Sequence, residues 1–201
     1  MDSWKLGDVP YEVLTIENIE KLIASGDKVD APGNKGYTLL HWAVLHKKID
    51  VIGFLLDKSA NVNARASFNE TPLHIAMHGN NIEVIEFLIS KGADAKAQDL
   101  FGRSPLHISL IAAHVNTVER LLSKGLITDA VKNPPNYLFV RAIVTGSIKI
   151  VERLIAMGED INAQNEYGWT MLDVAKNALK PRIAELLITH GAHHGPRNTE
   201  K

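Results

Sequence analysis

A six-residue phrase returns in this chain every 33 residues. It reads Thr38-Leu-Leu-His-Trp-Ala43, Thr71-Pro-Leu-His-Ile-Ala76 and Ser104-Pro-Leu-His-Ile-Ser109, then a worn Tyr137-Leu-Phe-Val-Arg-Ala142 and a last Thr170-Met-Leu-Asp-Val-Ala175. The frame runs from Thr38 to Thr170 with no insertion. A fixed period of this length means one supersecondary unit repeated, each too small to bury its apolar face without its neighbours. The 201 residues therefore count as about six units rather than as one or two globular domains.

Each unit reads as two helices. Thr38, Thr71, Ser104 and Thr170 stand before an apolar helical pattern, where a hydroxyl accepts from an orphan N–H of the first turn. Pro72 and Pro105 follow at the first helical position, where a missing N–H costs nothing. Two residues before each cap stand Gly36, Asn69, Gly102, Pro135 and Gly168, at a turn position expected to need positive φ. The second helix repeats Ile52, Ile85, Val118, Val151 and Leu55, Leu88, Leu121, Leu154 as one buried face. Its other face carries Glu86, Glu119, Glu152 and Glu185, expected in solvent, and Gly92, Gly125, Gly158 and Gly191 are expected as left-handed caps.

The same frame extended toward the N-terminus finds Ile19, Leu22, Ile23 and Gly26. Pro10 falls where Ala43 would be, so the first unit's leading helix is expected to be shortened, with Trp4, Leu6 and Tyr11 covering the open end. The fourth unit departs most. Lys132-Asn-Pro-Pro-Asn136 replaces the turn, Tyr137 the hydroxyl, and Leu126 and Ile127 the usual small and acidic pair, while Arg141 takes the slot of Trp42, Ile75, Ile108 and Val174. The junction from Leu126 to Ala142 is expected to open first.

Period and phrase together resemble the ankyrin-repeat family over nearly the whole chain. The resemblance implies an all-α solenoid of stacked helix-turn-helix units with projecting β-turn or hairpin fingers. Its expected division is an N-terminal capping repeat 1–35, repeats 36–68, 69–101 and 102–134, a degenerate repeat 135–167, a C-terminal capping repeat 168–192 and a disordered tail 193–201. A chain that starts at Met1 and carries both caps is expected to be whole. The resemblance also gives His41, His74 and His107 a structural role, bonding to neighbouring backbone. It places Leu45, His46, His78, Ile111 and Asn177 on the concave inner-helix face. Asn162, after Asp160, is similar to sites of asparagine hydroxylation in the family, and Asn63 is a weaker match.

The sequence offers little for catalysis. There is no cysteine, which removes disulfides and thiolate chemistry and fits a cytoplasmic setting. No Walker loop, dinucleotide fingerprint, nucleophile elbow or zincin motif occurs. His74 and His78 have the i, i+4 spacing of metal ligands but no third ligand in pattern, and His190, His193 and His194 straddle Gly191. An enzyme or histidine-dependent metal protein is thus the rival reading, and neither cofactor nor metal is expected. Asn69-Glu-Thr71 matches a glycosylation sequon and is read as chance. Lys plus Arg number 22 against 23 acidic residues, without a basic stripe, so no nucleic acid is expected. The N-terminus lacks a signal-peptide core, and no apolar run is long enough to span a membrane.

The aromatics point further. Of 12 Phe, Trp and Tyr, five fall in the turn region: Tyr37, Phe68, Phe101, Tyr167 and Trp169. On projecting fingers these are either interfinger packing or anchors for a partner. Five in frame favour a binding edge. The expectation is a monomeric, noncatalytic protein that binds another protein through this edge and the concave face, as an adaptor, an inhibitor or a host-directed interaction protein.

Overall fold

The computed structural model describes residues 12–112, 114–125, 137–165 and 167–195. Trp4, Leu6, Pro10, Tyr11, Leu126, Ile127 and the Lys132–Asn136 turn lie outside them. Among the described residues there are eleven α-helices, two single 3₁₀ turns (Asn34–Gly36 and Ser67–Asn69) and no strand. Six are the second helices of the units: α1 Ile16–Ala24, α3 Ile49–Asp57, α5 Ile82–Ser90, α7 Val115–Ser123, α9 Ile148–Ala156 and α11 Pro181–Thr189. Every one begins 33 residues after the last and spans nine residues. The inner helices are α2 Leu39–Leu45, α4 Pro72–Gly79, α6 Pro105–Ile111, α8 Tyr137–Thr145 and α10 Met171–Asn177.

Helices this short are marginal alone, so burial must hold them. Ile52, Leu55, Ile85, Leu88, Val118, Leu121, Val151 and Leu154 are all fully buried. The outer helices end alike, in a left-handed residue: Gly26, Ser59, Gly92, Gly125, Gly158 and Gly191 all have positive φ. The next amide then returns to the last turn, as Ala93 N donates to Leu88 O at 3.0 Å and Ala192 N to Leu187 O at 2.9 Å.

The chain divides into two compact units between Pro105 and Leu106. In the first, α2 packs on α3 and α4, and α4 on α5. In the second, α8 packs on α9 and α10, α10 on α11, and α9 on α7 and α11. Arg141 resolves its misfit in the second unit by donating from Nη2 to the Ile111 carbonyl at 3.3 Å, at the end of α6. A cation there meets the negative end of a helix dipole. The outer acids are not uniformly solvated. Glu152 and Glu185 are exposed, whereas Glu86 and Glu119 are half-buried. Glu119 is drawn in because it accepts from Ser147 Oγ, the N-cap of α9, at 3.0 Å.

The repeated histidine explains how inner helices hold fingers. His41 Nδ1 accepts from the Thr38 amide at 3.1 Å and lies 2.9 Å from the Thr38 hydroxyl. An amide can only donate, so Nδ1 carries no proton and Nε2 does. That N–H faces the Glu70 carbonyl of the following finger at 3.4 Å. His74 repeats the arrangement, with Thr71 N at 3.2 Å and the Arg103 carbonyl 3.0 Å from Nε2. Both rings are fully buried. Burial lowers the pKa of His41 to about 4, against hydrogen bonds that act to raise it, and lowers that of His74 as well. The rings are neutral linchpins near neutral pH.

Asp173 takes the histidine's place in α10. Its Oδ2 accepts from Thr170 N and Gly195 N at 3.0 Å each, and its Oδ1 meets His194 Nδ1. His193 N donates to Asn162 Oδ1 at 2.9 Å. Residues 193–195, which the sequence assigns to a disordered tail, are therefore tied to α10 and the preceding loop; the remaining residues 196–201 lie outside the described set.

Candidate protein-binding edge

Four turns precede inner helices and share one closure. Gly33, Ala66, Asp99 and Asn165 each donate their N–H to the carbonyl four residues on, at 2.7–3.0 Å. Each also accepts from the amide three residues on, at 2.9–3.1 Å. That amide belongs to Gly36, Asn69, Gly102 or Gly168, and all four have positive φ, as the repeat pattern requires. At Gly36 a Cβ would come up against the next finger's backbone, touching Ala66 Cα and Ser67 N at 3.4 Å, so the positive φ is what calls for glycine there.

The tips split into two kinds. In the fingers begun by Asp99 and Asn165, the side-chain Oδ1 accepts the amides two and four residues on, at 2.8 and 2.9 Å for Asp99 and 3.0 Å twice for Asn165. Gly33 and Ala66 have no such acceptor. There the tip residue itself turns left-handed, Lys35 at φ 54° and Phe68 at φ 59°. Positive φ is uncommon outside glycine and asparagine and exceptional for a bulky residue.

The second and third fingers are bonded together. Leu100 N donates to Phe68 O at 2.8 Å, and Asn69 Nδ2 to Gln98 O at 3.1 Å. Arg65 Nη1 reaches the carbonyls of Asn69 and Gln98 at 3.2 and 3.0 Å. The Phe68 and Phe101 rings stack at 6.1 Å between centroids and 23° between planes. The Arg103 guanidinium lies 4.7 Å from the Phe101 centroid while its Nε and Nη2 reach Asp99 Oδ2 at 2.7 Å. Burial acts to raise the Asp99 pKa, but these donors outweigh it and hold the carboxyl below its usual range. Packing does not hide the rings. Phe68 is 55% exposed, Phe101 64% and Leu100 69%. Leu100 is aliphatic and so falls outside the aromatic pattern legible in the sequence.

The five aromatics thus differ. Tyr37 is half-buried, its ring 5.3 Å from His41 and 5.4 Å from Trp42. Burial first, then the Glu70 charge, raises its hydroxyl pKa. Phe68 and Phe101 pack on each other and still face solvent. In the second unit, Tyr167 is 70% and Trp169 42% exposed. Of the inner-helix positions, Leu45, His78, Ile111 and Asn177 are exposed, while His46 is half-buried and stacked on Trp42 at 6.0 Å. Leu45, His46 and His78 belong to the first unit, Ile111 and Asn177 to the second.

Asn63 and Asn162 do structural work of the same form. Asn63 Nδ2 donates to Gly92 O at 3.2 Å and its Oδ1 accepts from Asp94 N at 2.8 Å. Asn162 Nδ2 donates to Gly191 O at 3.3 Å. Among the described residues no three His, Cys, Asp or Glu side chains gather to hold a metal ion. No helix there is long and apolar enough to cross a membrane.

Three family models match: one described as ankyrin repeats (3 copies) over residues 64–133, one described as ankyrin repeat over 35–67, and one described as ankyrin repeats (many copies) over 138–188. The chain belongs to the ankyrin-repeat family. Its fold is similar to the ankyrin repeat domain of Bcl-3, with a TM-score of 0.74 and 24% identity over 88% of this chain and 80% of that one. Protein phosphatase 1 regulatory subunit 27 of Homo sapiens is 36% identical over 59 residues, 29% of this chain and 38% of the relative. Palmitoyltransferase Hip14 of Drosophila melanogaster is 39% identical over 49 residues, 24% of this chain and 8% of the relative. The matched stretches thus span well under two thirds of these relatives. Ankyrin repeats generally mediate protein–protein interaction, and the fold is typically noncatalytic.

Proposed function

We propose that this ankyrin-repeat protein is a noncatalytic, monomeric cytoplasmic module that binds another protein through its finger tips and inner-helix face. The exposed cluster of Phe68, Leu100 and Phe101 carries the reading. It sets large apolar groups in solvent on a backbone locked by interfinger hydrogen bonds. Large rigid rings presented at little entropic cost are what binding hot spots are made of. Tyr167 and Trp169 offer a second pair of anchors, and Leu45, His46, His78 and Ile111 the inner-helix contacts. An adaptor, an inhibitor or a host-directed interaction protein would use such a surface. So would a regulatory subunit, the role that the name of protein phosphatase 1 regulatory subunit 27 gives to that relative. In the same reading the units at the two ends serve as caps, and Asn162 and Asn63 are hydroxylation acceptors. Their amides bridge to the next repeat, so a modifying enzyme would meet them in a locally opened chain.

Site-specific photocrosslinking tests this. A photoreactive residue at position 68, at 167, or at Glu152 on an outer helix is placed in the full chain in its native cytosol. Crosslinks to one protein from 68 or 167 and none from 152 are expected, and those from 167 should be lost with Phe68→Ser plus Phe101→Ser in a chain that keeps its helical signal. Crosslinks from 152 alone would overturn the edge.

A further inference from the structure

Resting on that reading, we infer that the first-unit finger edge recognises a partner segment in which acidic residues flank a large apolar side chain. The argument is the charge left around the exposed rings. Across fingers 33–37, 66–70 and 99–103 the side chains charged near neutral pH are Lys35, Glu70, Asp99 and Arg103, with Arg65 one residue before the second finger. The two acids are turned inward: the Asp99 side chain is fully buried and the Glu70 side chain only 15% exposed. Asp99 is matched by Arg103. Lys35 and Arg65 are exposed. Arg65 is held by carbonyl oxygens, which orient its guanidinium without neutralising it.

The repeat frame puts Lys35, Phe68 and Phe101 at the same tip position of three successive fingers. The edge therefore presents one ammonium and two rings in a row, with the Arg65 guanidinium on the Asn69 and Gln98 carbonyls and Leu100 next to Phe101 in the chain. Apolar rings supply affinity, and cations accompanied by no exposed acid among the described residues of these three fingers select the sign of the partner's charge. A basic partner would meet Lys35 and Arg65 with no exposed acid from these fingers to offset them.

A displayed library of random dodecapeptides, selected on the full chain and counter-selected on Phe68→Ser plus Phe101→Ser, tests this. The expected peptides carry Asp or Glu within a few residues of Trp, Phe, Leu or Ile. A fluorescent copy of one should lose about tenfold in affinity on Lys35→Glu, and weaken as salt screens the exposed charges. Lys35 is exposed, so this variant leaves the melting temperature unchanged. Ring-dependent peptides that are basic or uncharged would overturn the charge assignment and leave the binding edge standing. Peptides indifferent to the serine variant, or none at all, would overturn both. Displacement of the selected peptide by an equal concentration of oligo-deoxythymidine would reassign the edge to single-stranded nucleic acid and overturn the inference.

Discussion

The fingers that carry Phe68 and Phe101 place the same ring at the same point of the repeat by different backbones. At 99–103 the Asp99 carboxylate accepts two tip amides, and Gly102 is the finger's left-handed residue. At 66–70 the first residue is Ala66, no side chain at the finger's base accepts the tip amides, and Phe68 and Asn69 are both left-handed. The side chain at a finger's base, not the residue at its tip, sets the tip conformation. An L-residue pays about 1–2 kcal/mol in the left-handed region. Phe68 is kept there while Asn or Gly would sit comfortably, which sets it apart from a ring placed only to fill space.

Both fingers hang on a neutral histidine, and acid separates them most strongly from the rest of the chain. The unfolded chain binds a proton at each histidine below about pH 6.5, while folded His41 stays neutral down to about 4. The latch's contribution is complete above the unfolded value and falls as pH drops between the two. For His41 the loss by pH 4 is on the order of 3 kcal/mol, and His74 adds in the same direction. Urea midpoints between neutral pH and pH 4 measure it. The Asp173 latch of α10 has the opposite signature. Its carboxyl is held well below the usual range by the His194, Gly195 and Thr170 donors, against burial. Its contribution is present above the ordinary aspartate pKa and is lost only as pH falls below that. Amide exchange at pH 5, corrected for intrinsic rates, should therefore rise in α2 and α4 before it rises in α10. An equal rise in all three would break the contrast.

The next largest effect is Asp99→Ala, expected to cost about 2–3 kcal/mol because the Phe101 and Arg103 amides and the Arg103 guanidinium all lose their acceptor. Chemical denaturation measures it. A loss under about 1 kcal/mol would show that the finger can switch to the backbone of its neighbour. Smallest is the glycine pair. Phe68→Gly relieves the left-handed residue as it removes the ring, so its net change should lie within about 1 kcal/mol of zero. Phe101→Gly gains no such relief and should be the more destabilising. Equal changes would mean that the positive φ of Phe68 carries no cost.

The frame was legible because a period of 33 fixes each helix start once one is known. Positive φ at Gly36, Asn69, Gly102 and Gly168 was legible for the same reason. The two finger types were half-legible: Asp99 and Asn165 against Gly33 and Ala66 is a visible difference, but a left-handed phenylalanine is contrary to local propensity. The fate of Tyr37 was hidden, since its neighbours His41 and Trp42 lie on the helix it precedes and either orientation suits the pattern. The docking of His193, His194 and Gly195 was hidden too. It depends on hydrogen bonds to Asp173, more than twenty residues away, and a run of polar residues after a glycine cap carries no sign of them.

Hydrogen exchange with and without the crosslinked partner asks most directly whether the first-unit fingers are the binding surface. Protection should appear in amides of 65–70 and 98–103 and vanish when Phe68→Ser and Phe101→Ser are introduced. Protection on α3 and α5 with those amides unchanged would contradict it.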